Sequence, residues 1–189
     1  AWTWVKETLL GEVSERQPTN LLGLRQFPGG DACSAGDVTP MRLNALAGIE
    51  SAVLDPISAA APPIAAALTG LLPQYGDPND GQAAILITDG EETCGTQEDA
   101  LGAAAALWAA GVEVHVIAVT TTANVTFLSE LARAGGTSGA MLARDATELG
   151  AALDSVFADL NACLCPPETS CACGDGYADP TRGEECDGA

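Results

Sequence analysis

The sequence predicts an α/β protein with a three-layer, Rossmann-like fold, in which a mostly parallel sheet lies between two layers of helices. The chain has 189 residues, of which 47 % are hydrophobic, so it can bury the core of one domain of ordinary size. Strand-like segments alternate with helical ones, an order typical of parallel sheets covered on both faces. The uninterrupted apolar run Ala-Ala-Ile-Leu-Ile at 83–87 is typical of a strand buried on both faces.

The first half of the chain predicts three helices and two strands. Residues 2–16 are predicted to be helical, since Val5 and Leu9 belong to an apolar stripe at helical spacing. Asn44 is the predicted N-cap of the next helix. Pro40 lies in a strand and cannot donate to a ladder, so that strand belongs at a sheet edge. The remaining predicted elements are strands at 21–27 and 37–43 and helices at 44–54 and 62–73.

The second half predicts three strands and three helices in strict alternation. Thr96 is the predicted cap of the first of these helices, with Asp99 at the capping-box position, and Gly111 follows its end. The other predicted elements are strands at 83–88, 112–119 and 139–143 and helices at 125–134 and 146–161. This order completes a predicted domain that spans residues 1–162.

The charge balance excludes two classes of partner. Seven Lys and Arg face 26 Asp and Glu, which gives a formal net charge of −19. Nucleic acids and anionic membrane surfaces repel such a chain, because binding to either requires clustered cations. No apolar run reaches the roughly 18 residues that a membrane span requires. We therefore expect no nucleic-acid partner and no membrane insertion in this segment.

The cysteines divide the chain into two parts. Two lie far apart in residues 1–162, whereas five fall within residues 163–189. That density indicates an oxidising compartment, extracellular or at the cell surface, and a small disulfide-stapled module at the end of the chain. A zinc site is the alternative for the two Cys-x-Cys pairs, although zinc ligands are usually spaced Cys-x2-Cys. The odd total of seven cysteines and the absence of an initiator Met lead us to expect a piece of a longer protein.

Acidic residues follow two of the predicted strands. Asp89 ends the most apolar strand and is followed by Glu91 and Glu92, while Asp31 lies in the loop after an earlier strand. In an open parallel sheet, ligands bind beyond the carboxyl ends of the strands. These four carboxylates are therefore the candidate ligand-binding residues, on one rim of the sheet.

The same two loops carry the two isolated cysteines, Cys33 and Cys94. If both loops lie on one rim, a disulfide between these cysteines is geometrically feasible. Two buried free thiols, packed as small hydrophobic side chains, are the alternative.

At residues 84–95 the segment Ala-Ile-Leu-Ile-Thr-Asp-Gly-Glu-Glu-Thr-Cys-Gly resembles the fourth strand and the metal-loop aspartate of von Willebrand factor A domains. The order of helices and strands through residue 162 is also similar to that family. The last part of the chain, from Cys173 to Gly188, resembles short Cys-rich repeats of myxobacterial surface proteins. Together these resemblances imply a bacterial surface or secreted protein with an adhesion-type domain.

The family resemblance also implies a metal-ion-dependent adhesion site, from which this chain departs. In the family, an Asp-x-Ser-x-Ser motif after the first strand, a Thr and a later Asp hold the cation. Here the chain begins inside the first helix, and Pro62, which has neither a hydroxyl nor an N–H, stands where the Thr would be. Asp89 is the residual ligand, whereas a hard cation prefers about six or more oxygens. We therefore expect no cofactor in this segment, with Mg²⁺ or Ca²⁺ left to the full-length parent.

In the family, the missing first strand is central and lies between the equivalents of 21–27 and 83–88. Without it, both neighbouring strands lose a ladder, and each unmet buried polar group costs about 1–3 kcal/mol. Direct pairing of the two strands across the gap is the alternative arrangement. We expect this segment by itself to be marginally stable or to aggregate, and the parent protein to fold.

The leading functional hypothesis is a non-enzymatic, extracellular binding module that presents its acidic rim to a protein ligand. A structural spacer without any ligand is the alternative. A hydrolase that uses the cluster from Asp89 to Glu92 is a further alternative, with Glu91 and Glu92 as acid and base. His115, the only histidine, lies among Val and Ile and is interpreted as a packed core residue. The sequence contains no Gly-x-Ser-x-Gly motif and no phosphate-binding loop.

Overall fold

A computed structural model describes residues 2–29, 33–54, 62–76, 81–119 and 124–162. The predicted Cys-rich module at 163–189 lies outside these residues, as does Asp31. The domain boundary at residue 162 and the chemistry of the tail cysteines therefore stay predictions.

The described residues alternate between helices and strands in the predicted order. In chain order the elements are α1 Trp2–Arg16, β1 Leu22–Arg25, β2 Val38–Arg42, α2 Leu46–Leu54, α3 Ile64–Thr69, a 3-10 turn Leu72–Gln74, β3 Gln82–Thr88, α4 Gln97–Ala109, β4 Val112–Ala118, α5 Val125–Ala134, β5 Met141–Leu142 and α6 Ala146–Ala162. None of these helices is both long and apolar enough to cross a membrane.

The strands β3, β4 and β5 form a parallel sheet with β4 in the middle. β3 and β4 pair along their whole length, from Gln82 opposite Val112 to Thr88 opposite Ala118. β5 contributes a single two-residue pairing, so the strand predicted at 139–143 is much shorter than expected. The parallel sheet predicted for this half of the chain is confirmed.

Helices cover both faces of this sheet. On one face, Val114 and Val116 of β4 belong to a core shared with α3, α4 and α5. On the other face, Ile117 and Val119 pack in a second core with Val5 of α1 and with α6. Alternate residues of one strand thus enter two cores, as the period of a strand requires. The three-layer architecture is confirmed.

The remaining strands, β1 and β2, form a separate antiparallel ribbon. Leu22 and Leu24 of β1 pack against a third core that α1 and α2 supply. β2 contains Pro40 and, among the described residues, pairs with β1 alone, which agrees with its predicted place at an edge.

The ribbon and the parallel sheet are not paired with each other in the described parts of the chain. Direct pairing of β1 with β3, the alternative arrangement, is not observed among the described residues. α1 spans the division, because Val5 packs on the sheet side and Val13 on the ribbon side. On β3, the carbonyl of Ala83 accepts a hydrogen bond from the Tyr75 hydroxyl at 3.0 Å instead of from a strand. Burial raises the pKa of Tyr75 to about 12.

The helix caps agree with the sequence at α4 and disagree at α2. The Thr96 side chain accepts from the Asp99 backbone N–H, and the Asp99 side chain accepts from the Thr96 backbone N–H, which is the predicted capping box. The prediction that Asn44 caps α2 is wrong, since its φ of 55° is left-handed whereas an N-cap is usually extended. Instead, Gln17 Oε1 accepts from the backbone N–H of Leu46 at 2.9 Å.

Candidate functional site

The end of β3 places Asp89 on an exposed rim of the parallel sheet. Thr88 is the last residue of the strand and is 2 % exposed, whereas Asp89 directly after it is exposed to solvent. The backbone N–H of Gly90 donates to Thr88 Oγ1 at 3.2 Å, which holds the turn after the strand. Asp89 therefore lies at the carboxyl end of β3, where the sequence analysis expected it.

The first residue of α1 also lies on this rim. The indole Nε1–H of Trp2 donates to Asp89 Oδ2 at 3.2 Å, across 87 residues of sequence. In the sequence, Trp2 is only the first residue of a predicted helix, and nothing in its neighbourhood signals a polar partner. The Trp2 indole thus becomes part of the site and occupies one oxygen of the carboxylate.

The residues around Asp89 do not fit a divalent cation. Pro62 lies beside the turn, since its Cγ would be 3.4 Å from a Cβ placed on Gly90, and it brings no hydroxyl. The backbone N–H of Thr93 donates to the Pro62 carbonyl at 3.4 Å, so this oxygen already has a donor. Across the described ranges, no group of three or more His, Cys, Asp or Glu side chains is placed to hold a metal ion. Among the described residues, a hard cation that prefers about six oxygens would therefore find few ligands beside Asp89.

Glu92 differs most from its expected role at the ligand-binding rim. It is 6 % exposed, and its carboxylate accepts hydrogen bonds from three backbone N–H groups. Oε2 accepts from Ala65 at 2.6 Å, while Oε1 accepts from Cys94 at 2.8 Å and from Gly95 at 2.9 Å. Backbone N–H donors can replace the water that a buried carboxylate loses, so the Glu92 carboxylate is stabilised in this position. Its hydrogen bonds connect its own loop to the first turn of α3.

Glu91 stays on the rim beside Asp89. Its side chain is half-buried, and Oε2 accepts from Gln97 Nε2 at 3.1 Å. Asp89 and Glu91 are thus the described members of the predicted acidic set whose side chains are at least partly exposed at this rim.

The disulfide between Cys33 and Cys94 is present, and this pairing is confirmed over the alternative of two free thiols. It joins the loop after β1 to the loop after β3 across a sequence separation of 61 residues. Cys33 is exposed and has a φ of 66°, so this loop makes a left-handed turn at the cysteine itself. The two loops that the sequence analysis assigned to one rim are therefore joined covalently.

The loop that follows Asp89 is acidic. Between Asp89 and α4, the loop carries Glu91 and Glu92 and contains no Lys or Arg. At the start of α4, the hydrogen bonds from Thr96 lower the pKa of Asp99, which keeps a further carboxylate ionised. This charge pattern favours a partner that presents basic side chains.

Several solved structures, among them the following two, are similar to this fold. The structure of proximal thread matrix protein 1 from the mussel byssus matches 84 % of this chain with a TM-score of 0.59 and 20 % identity. BatB, a conserved hypothetical protein from Bacteroides thetaiotaomicron, matches 84 % of this chain and 87 % of its own length, with a TM-score of 0.65 and 18 % identity. This chain covers 42 % of the mussel protein, so it spans less than half of that relative.

Both structural neighbours have von Willebrand factor A-like folds, which supports the fold that the sequence resemblance implied. At these identities the likeness extends to the fold alone. No protein-family model matches the sequence, and no curated protein matches it.

Proposed function

We propose that the chain is a non-enzymatic, extracellular or cell-surface module that binds a protein ligand at the rim formed by Asp89 and Glu91. The observation that carries the proposal is the Cys33–Cys94 disulfide, which joins two loops at the acidic end of the sheet. A rim held in one conformation loses less conformational entropy when a partner binds.

The ligand contacts of this module are direct and do not depend on a cation. Asp89 supplies one carboxylate, Pro62 supplies no side-chain oxygen, and the Trp2 indole already donates to Asp89. A degraded adhesion site of this kind binds through its own charges, so the partner presents Lys or Arg to the rim. A Mg²⁺ or Ca²⁺ ion would need further oxygen ligands beside Asp89.

The geometry of Glu92 favours a binding role over catalysis of hydrolysis. Both of its oxygens accept backbone hydrogen bonds, and the side chain is buried. A general base must reach a proton of the substrate, which a carboxylate held in this way does not do.

An extracellular location is supported by the disulfide, because such bonds persist in oxidising compartments and are rare in the cytosol.

The test is a pull-down from the extracellular fraction of the organism that encodes the chain. The bait is compared with Asp89→Asn and Glu91→Gln, which keep side-chain size and remove charge, and with Glu130→Gln as a matched control on the exposed face of α5. We expect one set of captured proteins that both rim variants lose, that the control keeps and that EDTA leaves unchanged.

Three outcomes would contradict the proposal. Capture that EDTA abolishes would show a working cation site, and equal capture by the rim variants would place the interface elsewhere. No specific partner under any condition would favour the structural spacer.

A further inference from the structure

The Cys33–Cys94 disulfide lies at the surface of the rim, beside an open groove. Cys33 is exposed and Cys94 is half-buried. Both cysteines line a groove of about 230 Å³ together with Ala65 and Ala66 of α3. Attack on a disulfide depends on access to its sulfur atoms, and exposed disulfides are more easily reduced than structural ones. The groove therefore gives a small thiol a path to this bond in the folded chain.

The backbone at Cys33 is held in an unfavourable conformation. Cys33 has a φ of 66°, in the left-handed region that residues other than glycine rarely adopt. Such a conformation persists only where the surrounding structure imposes it. The bond to Cys94 is a covalent tie at this residue, so opening it allows Cys33 to relax and to move away from the groove.

The base of the loop after β1 is anchored independently of the disulfide. Arg25 Nε donates to the Gly36 carbonyl at 3.0 Å, and Arg25 Nη1 donates to the Ala67 carbonyl of α3 at 3.2 Å. The Gly36 N–H donates to the Gln26 carbonyl at 3.0 Å. These hydrogen bonds connect the end of β1 with α3, so an open disulfide leaves the ribbon attached to a helix that packs on the sheet.

The loop after β3 is also held without the disulfide. The Glu92 carboxylate accepts hydrogen bonds from the backbone N–H groups of Ala65, Cys94 and Gly95. The capping box at the start of α4 follows directly in the chain. Cys94 therefore keeps its place when the bond opens, and Cys33 is the partner that moves.

We propose that the Cys33–Cys94 disulfide is a redox switch of the rim, which a small dithiol opens while the domain stays folded. A thiolate of the dithiol attacks the exposed Cys33 Sγ, the S–S bond breaks, and Cys94 leaves as a thiolate that takes up a proton. The second thiol of the reagent then attacks its own sulfur in the mixed disulfide and releases Cys33, which is protonated in turn. The dithiol is oxidised to a cyclic disulfide, and the two cysteines are reduced to thiols.

The consequence for binding rests on the function proposed above. In the oxidised chain the rim consists of two joined loops, whereas in the reduced chain the loop with Asp89 and Glu91 lacks the Cys33 side of the rim. A partner that contacts both sides must then order the Cys33 side again, which costs conformational entropy. The oxidised form is therefore the form with the higher affinity.

The kinetics of reduction test whether the bond opens in the folded chain. Dithiothreitol is the probe, and alkylation followed by peptide mass spectrometry measures Cys33 and Cys94 separately from the five cysteines of 163–189. We expect a rate that is proportional to the dithiothreitol concentration and changes by less than about twofold in sub-denaturing urea. A rate that rises steeply with urea would show that reduction requires unfolding, which overturns the proposal.

A variant that narrows the groove tests the path of the thiol. Ala66→Leu places a larger side chain in the groove wall and is expected to slow reduction by about threefold, because access to the sulfur limits the exchange. The matched control is Ala109→Leu, at an exposed alanine that is the last residue of α4, whereas the disulfide lies near the first. Equal rates in the two variants would contradict access through the groove.

Hydrogen exchange locates the movement. The Gly29 N–H donates to the Ser34 carbonyl, next to Cys33, and its exchange is expected to accelerate by about tenfold after reduction. The Cys94 N–H, which donates to Glu92, is expected to keep its rate, as are the amides of β4. Unchanged exchange at Gly29 would show that nothing moves, and lost protection in β4 would show that reduction unfolds the domain. Either result overturns the proposal.

The pull-down separates the switch from the proposed function. The oxidised bait is compared with the double variant Cys33→Ser, Cys94→Ser, which cannot close the bond and keeps the cysteines of the tail. We expect the double variant to lose the same proteins that Asp89→Asn loses. Equal capture by the oxidised bait and the double variant would overturn control of binding by the disulfide. If the oxidised bait captures no partner, the proposed function fails, whereas reduction kinetics and hydrogen exchange still decide whether the bond is a switch.

Discussion

The parallel sheet and the β1–β2 ribbon bury their strands to different degrees. In β4 only Glu113 escapes full burial, whereas no residue of β1 or β2 is fully buried. The difference arises from the number of helical layers that cover each set of strands. Two separate helical layers enclose β4, while the ribbon packs against a single core formed with α1 and α2.

This difference shows that strand sequence alone does not decide how firmly a strand is held. Leu22 and Leu24 are as apolar as Leu86, yet only Leu86 lies between neighbours that exclude water. No strand of the described residues pairs with both ribbon and sheet, which are connected through α1 and through the Cys33–Cys94 disulfide. We therefore expect the two regions to respond differently to the same kind of perturbation.

Removing the disulfide has the largest expected effect. A double variant, Cys33→Ser with Cys94→Ser, opens a crosslink with a sequence separation of 61 residues. By the chain-entropy relation, this lowers the free energy of unfolding by about 4 kcal/mol. Urea unfolding measures the loss, and hydrogen exchange locates it, since amides of β1 and β2 are expected to exchange faster than those of β4.

The control is the oxidised native chain under the same conditions. Equal exchange in the ribbon and in β4 of the variant would contradict the idea that the ribbon opens first.

A matched pair of leucine truncations tests the difference in burial directly. Leu107→Ala removes a fully buried side chain of α4 beneath the sheet and is expected to cost about 2–5 kcal/mol. Leu24→Ala removes a half-buried side chain of β1 and is expected to cost about 1 kcal/mol, because less apolar area is lost and solvent can fill the space. Urea midpoints at an unchanged denaturant slope provide the measurement. Similar losses for both variants would show that the ribbon is as well packed as the sheet.

Much of the fold could be predicted because its signals are local. α1 and α5 occupy the predicted ranges. The helix predicted at 62–73 is shorter, because the regular turns stop at Thr69 and Gly70, and Pro73 is part of a separate 3-10 turn. Local sequence shows where a helix can begin, but the tertiary neighbours decide where it stops.

The candidate site could be predicted only where residue type carries the signal. Cys33 and Cys94 were paired because both follow strand ends, and their pairing is confirmed. Glu92 was placed on the ligand side, although its carboxylate is occupied by backbone donors, one of them 27 residues away at Ala65. Backbone N–H groups are the same at every non-proline residue, so the sequence contains no mark of such a partner. The Trp2–Asp89 contact was missed for a similar reason, since its partners are 87 residues apart.

Tyr75→Phe tests the open edge of β3. The variant deletes the hydroxyl that donates to the Ala83 carbonyl and is expected to cost about 1 kcal/mol at neutral pH. It should also remove a pH dependence. The pKa of Tyr75 in the folded chain is about 12, whereas the pKa of an unfolded tyrosine is about 10. Between these values the folded state binds the proton more tightly, so stability falls as the pH rises.

Urea unfolding at several pH values from neutral to alkaline checks this prediction. The native chain should lose stability more steeply above about pH 10 than the variant does. If the stability of the native chain and that of Tyr75→Phe depend on pH in the same way, the Tyr75 hydroxyl does not stabilise the open edge of β3.

An expected effect of similar size concerns the start of α4, on the side of the parallel sheet. Thr96→Ala removes the cap and is expected to cost about 1 kcal/mol.

Asp99→Asn tests the contribution of the Asp99 negative charge, because the side chain keeps its size and loses its charge. The pKa of Asp99 is lowered by its hydrogen bonds with Thr96, so this stabilisation is complete above the unfolded pKa and is lost as the pH falls through the folded one. Thermal midpoints of Asp99→Asn should therefore fall below the native value at neutral pH and converge with it in acid. Glu98→Gln, one residue earlier and outside the capping box, controls for the loss of a charge near the helix dipole. If Glu98→Gln shows the same convergence, the helix dipole and not the capping box explains the acid sensitivity.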